Sequence, residues 1–230
     1  MKLTVRQQAA SSWAGFRVLV RRFGLPRAIR LGARGERAPD PFARLGKAGS
    51  LAEELSRQQL APAARLYRVL AAEFGPEEAS EATREVVVAA TLAFLAVLVG
   101  PLDLPALLAL SPEHRLARVG DLVARFFNAE GRVDAAGDDG FDYRVHRCHF
   151  VELCTAIGLP ELAPLLCEGD LAYFNRDRLR LARPSTLASG GDACLFRFRV
   201  VPPGIDGCAT TCRPSASSSS MSSTTPMNPL

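Results

Sequence analysis

The sequence predicts an α+β fold, with a helical N-terminal half packed on a small antiparallel sheet that ends in a C-terminal β-hairpin. Three observations carry that prediction. Between residues 50 and 128, apolar residues recur at helical spacing between recognisable start and stop residues. At residue 141 the period drops to two. Two strand-like runs then follow, joined by a turn containing Gly190-Gly191. With 230 residues, 48% of them apolar, the chain is long enough to bury a real core.

Charge divides the chain unevenly. Residues 1–47 hold eleven Lys/Arg against Glu36 and Asp40, a net of +9; with +4 overall, the remainder carries −5. The body is therefore not a nucleic-acid binder by charge, and any weak contact with an anionic membrane surface belongs to the basic N-terminus. Within it, Trp13, Phe16, Val18, Leu19 and Val20 give a weak helical face. Gly24, Pro26, Gly32, Gly35, Pro39 and Pro41 then predict loop, so the segment reads as a partly disordered extension. No signal peptide is expected, because Arg17, Arg21 and Arg22 break the first apolar run. Six cysteines are too few for a disulfide-stapled scaffold, so reduced thiols in the cytoplasm are expected.

A helix is predicted over 50–75, with Ser50 and Glu53 forming a capping box and Gly75-Pro76 as the stop. The next begins at Pro76-Glu77-Glu78, where acids suit the helix dipole, and runs to Gly100-Pro101. It contains the longest apolar run, 14 residues over 86–99, which is short of the ~18 that a membrane span needs and reads as a core helix. A third helix opens at Ser111-Pro112-Glu113 and continues to about residue 128. Gly131, Gly137 and Gly140 predict loop. Residues 141–146 alternate as a strand, 150–157 return to helical spacing, and Gly158-Leu159-Pro160 leads into a helix over 161–174.

On that last helix Cys167 and Asp170 are three apart and share a face, with Leu171-Ala172-Tyr173-Phe174 beside the carboxylate. Residues 179–187 and 194–201 form the hairpin. The domain thus spans 48–203, and residues 204–230 form a tail rich in Ser, Thr and Pro that cannot bury enough surface to order itself.

Four of the six cysteines and two of the three histidines fall between 141 and 201. There, Cys148, the turn Gly158-Leu159-Pro160-Glu161-Leu162, the cluster Cys167-Glu168-Gly169-Asp170 and the run from Arg183 through Gly190-Gly191 to Cys194-Leu195-Phe196-Arg197 resemble the L-2-amino-thiazoline-4-carboxylic acid hydrolase family. The resemblance covers roughly residues 62–200 and is strongest over 143–199. Leu195 stands where the family usually has an acid, and Pro184 where Thr is usual.

The resemblance implies a hydrolase that opens a small cyclic amidine to a carbamoyl amino acid, with no cofactor and no metal. It implies catalytic roles for Cys148, Cys167, Asp170 and Glu168. Substrate contacts would come from His149, Arg183, Thr186 and Cys194. A Cys of lowered pKa would add to the amidine carbon. Asp170, in apolar surroundings, would have a raised pKa and serve as general acid or base. Arg183 or Arg144 would hold a substrate carboxylate.

Each assignment has a plainer alternative. Cys148, Cys154, Cys167 and Cys194 also read as small buried hydrophobes, Asp170 as a carboxylate satisfied within its helix, and Gly190-Gly191 as a turn. No C-x-x-C pair of the zinc type occurs, and Cys208 and Cys212 are the loosest pair. The layout also resembles, more faintly, the vinyl-reductase-type sensor domains that bind small hydrophobic molecules. A non-catalytic small-molecule-binding or scaffold domain is therefore the second reading. The oligomeric state is not legible.

Overall fold

Four helices fill the first hundred residues, two of them opened by side-chain caps and two by a proline in the first turn. The computed structural model describes residues 3–100, 104–175 and 179–201, and over them the chain is α+β. Helix α1 (Val5–Phe23) starts at Thr4, whose hydroxyl accepts from the Gln7 amide while the Gln7 side chain accepts from the Thr4 amide. Helix α2 (Leu25–Arg37) follows at once, with Pro26 in its first turn.

This corrects the expectation of a loop after Gly24. Pro26 is a helix opener, where its missing N–H costs nothing, and Gly32 and Gly35 face open space. Part of the basic charge is paired with acids as well. Arg22 pairs with Glu78 and Glu85, while Arg27, Arg30 and Arg34 converge on Glu73. Val18, Leu19, Ala28 and Leu31 belong to the main helical core, Leu31 at 0% exposure. Leu31→Ala is expected to destabilise the protein by about 2–5 kcal/mol in denaturant titration; a loss below about 0.5 kcal/mol, the scale of a surface change, would show that α2 is not held there.

Helix α3 (Leu51–Phe74) uses the Ser50 hydroxyl as its cap on the Glu53 amide. The Glu53 carboxylate accepts from Gly49 rather than Ser50, so the box closes one residue early. Helix α4 (Pro76–Leu98) packs against α1 and α3 and against a later helix, α8 (Leu162–Phe174). Its first half supplies Ala79, Ala82 and Val86 to the helical core; its second half supplies Phe94 and Leu95 to a separate core beneath the sheet. Burial against one core and then the other along its length fits the apolar run over 86–99. No helix among the described residues is long and apolar enough to cross a membrane.

After the short α5 (Leu104–Leu108) comes α6 (Pro112–Val123), which ends earlier than the predicted 128 and gives way to turns. Arg115 of α6 is buried and donates to the carbonyls of Leu108, Leu110 and Gly137. Residues 129–136, expected as loop, form strand β1 (Ala129–Ala136) at the sheet edge, paired with β2 (Gly140–Cys148). A side chain at position 131 would place its Cβ 2.3 Å from the Arg144 carbonyl oxygen, so Gly131 serves close strand approach.

Helices α7 (His149–Ala156) and α8 then precede β3 (Leu179–Ala182) and β4 (Cys194–Val200). The sheet order is β1-β2-β4-β3, antiparallel throughout. The β3–β4 hairpin has a longer connection than predicted, because β3 stops before Pro184 rather than at 187. Its loop is organised by the Ser185 hydroxyl, which donates to the Ala193 carbonyl, and by a 3-10 turn over Leu187–Ser189 that ends at Gly190 with φ 82°. The expected tail over 204–230 lies outside the described residues.

Candidate active site

Strand alternation fixes the floor of a cavity between sheet and helices. Phe141, Tyr143 and Val145 of β2 face the helices, and opposite them in register stand Phe198, Phe196 and Cys194 of β4. Phe141 and Phe198 stack with ring centres 4.5 Å apart, and Tyr143 and Phe196 meet at 5.8 Å. By simple alternation residue 147 would point inward next. The pairing Gly131↔Val145 followed by Glu130↔Arg147 leaves His146 unmatched, a β-bulge that shifts the phase by one. Cys148, not Arg147, therefore reaches the cavity.

Helix α8 forms the facing wall. Cys167 and Asp170, one helical turn apart, both line the cavity. Between them Gly169 lets α8 lie directly on α4, since a Cβ there would sit 2.5 Å from the Thr91 side chain. The remaining walls include Gln59, Thr91 and Asn128, together with Phe94, Phe126, Phe150 and Phe174.

Three thiols, one carboxylate and one guanidinium thus converge. Burial pushes the Asp170 carboxyl up to about 6, and Arg183 opposes that shift. The Asp170 side chain keeps 30% of its surface accessible, and that surface opens on the cavity. Arg183 lies behind it, 7% exposed, with Nη1 donating to the Cys167 carbonyl at 2.8 Å and standing 3.7 Å from Asp170 Oδ2. Its guanidinium carbon also lies 5.7 Å from the Phe196 ring centre.

The thiols are not activated in the resting protein. Burial pushes Cys148 up to about 11 and Cys167 up to about 12; Cys194 is raised for the same reason. The lowered thiol pKa expected of a nucleophile is therefore corrected: a dry, aromatic setting favours the neutral form. Cys148 has one distinguishing feature. It precedes α7, and the Phe150 and Val151 amides draw its pKa down against burial, without closing a capping hydrogen bond. Cys194 instead accepts from the Leu187 amide at 3.2 Å.

Other residues singled out from the sequence lie elsewhere. Glu168 faces away from the cavity and pairs with Arg84 at 3.1 Å. His149 is 3% exposed, but its nitrogens point to Glu152 and Glu130, at 3.4 and 3.8 Å. Thr186 caps the 3-10 turn by accepting from the Ser189 amide. Arg144 is exposed and bound to Asp134, away from any substrate carboxylate. Leu195 alternates away from Cys194, opposite Arg144, so this position does not alter the lining. Cys154 is buried in the helical core.

Gln59, Thr91, Asn128 and the aromatic floor were not anticipated. The Phe141/Tyr143 and Phe196/Phe198 alternations and a sheet joining the two segments were visible, but the register that sets these rings opposite one another was not. A family model described as L-2-amino-thiazoline-4-carboxylic acid hydrolase matches residues 54–198, well over half of the chain. No curated protein and no solved structure matches it.

Proposed function

This chain belongs to the L-2-amino-thiazoline-4-carboxylic acid hydrolase family, and from that premise we propose that its cavity hydrolyses a small cyclic amidine, with Asp170 as base and Cys148 as nucleophile. The observation that supports this most strongly is the placement of one carboxylate, its pKa raised to about 6, among neutral thiols in an aromatic enclosure. Near neutral pH that carboxylate is mostly ionised and ready to accept a proton.

Asp170 has two candidate protons to take, from water or from a thiol. The Cys148 thiol, at about 11, is far closer in acidity than water, at about 15.7. Cys148 is preferred to Cys167 because its sulfur, unlike that of Cys167, stands before helix amides that favour the developing thiolate. Its Sγ bonds to the amidine carbon while its proton passes to Asp170. The ring carbon–sulfur bond then breaks, and Asp170 gives the proton to the departing sulfur, leaving an isothiourea on Cys148. Water adds to the same carbon, Cys148 leaves with its proton restored, and the product is a urea bearing a free thiol. Arg183 holds Asp170 towards the ionised form, and the four cysteines among the described residues, all free thiols, fit a reducing, cytoplasmic setting.

Acid-quenched protein turning over 2-amino-2-thiazoline is expected to carry the isothiourea adduct at Cys148 by peptide mass spectrometry. An adduct only at Cys167 or Cys194, or turnover undiminished in Cys148→Ser, would remove Cys148 from the mechanism. The second reading, a binding domain for small hydrophobic molecules, draws on the aromatic lining; binding without ring opening would favour it.

A further inference from the structure

The cavity's charge and aromatic content speak to what it takes in. Seven phenylalanines and Tyr143 line it, and Asp170 is the one lining residue among those described that bears a charge at neutral pH. Among the described residues, no cation lines the space. Arg183 lies outside the lining: it is 7% exposed, Nη1 donates to the Cys167 carbonyl and stands beside Asp170, and its buried Nε makes no hydrogen bond, while Arg144 is tied to Asp134 on the outer face of the sheet. No hydrogen bond from a described residue reaches the Asp170 carboxylate; its charged neighbour, Arg183, stands at 3.7 Å. The carboxylate thus keeps acceptor positions open towards the cavity.

We propose that this cavity selects an uncarboxylated cyclic amidine that is cationic at its amidine and carries an apolar, preferably aromatic, substituent. The proposal rests on the hydrolase reading above and names the substrate class of that same site. An amidinium N–H can donate to one open oxygen of Asp170 as a charge-assisted bond, which leaves the other oxygen for the Cys148 proton. Aromatic faces carry a negative quadrupole and attract such a cation. A carboxylate on the ligand has the opposite fate. It would lose water among ring faces and beside Asp170, with only the neutral Gln59, Thr91 and Asn128 side chains to receive it. An apolar substituent instead gains from the area it removes from water.

Three probes separate the terms: 2-amino-thiazoline-4-carboxylate, 2-amino-2-thiazoline, and 2-amino-thiazoline with a phenyl group on the ring. Dissociation constants by calorimetry and ring opening by thiol release are measured for each on the full chain. The phenyl compound is expected to bind and turn over best and the carboxylate worst, with steps of about tenfold or more, the size of a buried-ring gain on one side and of a carboxylate's lost hydration on the other, expressed as affinity. Asp170→Asn, checked for folding by circular dichroism, is expected to weaken phenyl-compound binding about tenfold or more, because a neutral amide replaces the charged partner.

Tightest binding and fastest turnover of the carboxylate would overturn this selectivity while keeping the hydrolase. The expected order of affinities without ring opening would keep the selectivity and overturn the hydrolase. Binding of none of the three would overturn both.

Discussion

Asp170→Asn is expected to lower the kcat/KM for ring opening by about 10²–10⁴-fold at pH 7.5, the range for a lost general base. In the wild type, kcat/KM should rise as pH passes about 6, where the free carboxyl ionises; the variant should lack that limb. Stability supplies an independent check. The folded-state pKa is raised above the ordinary carboxyl value, so ionisation costs the folded protein more than the unfolded chain. Below about 4 both states hold the proton and this penalty is absent. From about 4 to about 6 it grows, and above that it is complete. Thermal melts should therefore show the wild type losing ground relative to Asp170→Asn across that window and no further above it. A constant difference from pH 3 to 8 would mean that the carboxyl titrates normally.

Gly169→Ala is expected to cost about 1–3 kcal/mol in stability, because its Cβ would lie 2.5 Å from the Thr91 side chain and α8 must move off α4. The same movement displaces Cys167 and Asp170 on either side of it. A shift near 1 Å at the reacting groups costs about 10²-fold in rate, so turnover should fall even where the variant stays folded. Full activity together with unchanged melting would show that the α4–α8 packing has more room than its geometry implies. By contrast, the larger side chain at Gly32 or Gly35 meets nothing within 4 Å, and Ala at either position serves as the control.

Local physics explains which parts of this fold were legible. Helices α3, α4 and α6 announced themselves through Ser50, Ser111, Pro76 and the Gly75 stop, all of which act within one turn of the helix end. Helix α2 did not, because its placement depends on Leu31 meeting the core and on three arginines meeting Glu73, more than 35 residues away in sequence. Strand β1 was hidden for a similar reason. AEGRVDAA has little strand character of its own, and it is drawn into the sheet by β2.

The site shows the same division. Cys167 and Asp170 share a face by helix geometry, which spacing alone predicts. Glu168, two residues from Asp170, points elsewhere by that same geometry and finds Arg84. Cys148 reaches the cavity only because His146 bulges, a shift that depends on the register of a partner strand. His149 follows it in sequence yet turns with α7 towards Glu130 and Glu152. Adjacency in the chain was a poor guide to proximity there, and the aromatic lining, drawn from five separate elements and the turn after α6, had no local signal at all.

We propose above all that this cavity adds the elements of water to a cyclic amidine. The most direct test is incubation of the purified chain with 2-amino-2-thiazoline in ¹⁸O-water, with the product followed by mass spectrometry. The expected product is a ureido thiol that carries one ¹⁸O at the carbonyl, formed by the wild type and lost in Asp170→Asn. Unchanged ring compound recovered from protein that binds it tightly would contradict that claim and leave a binding domain in its place.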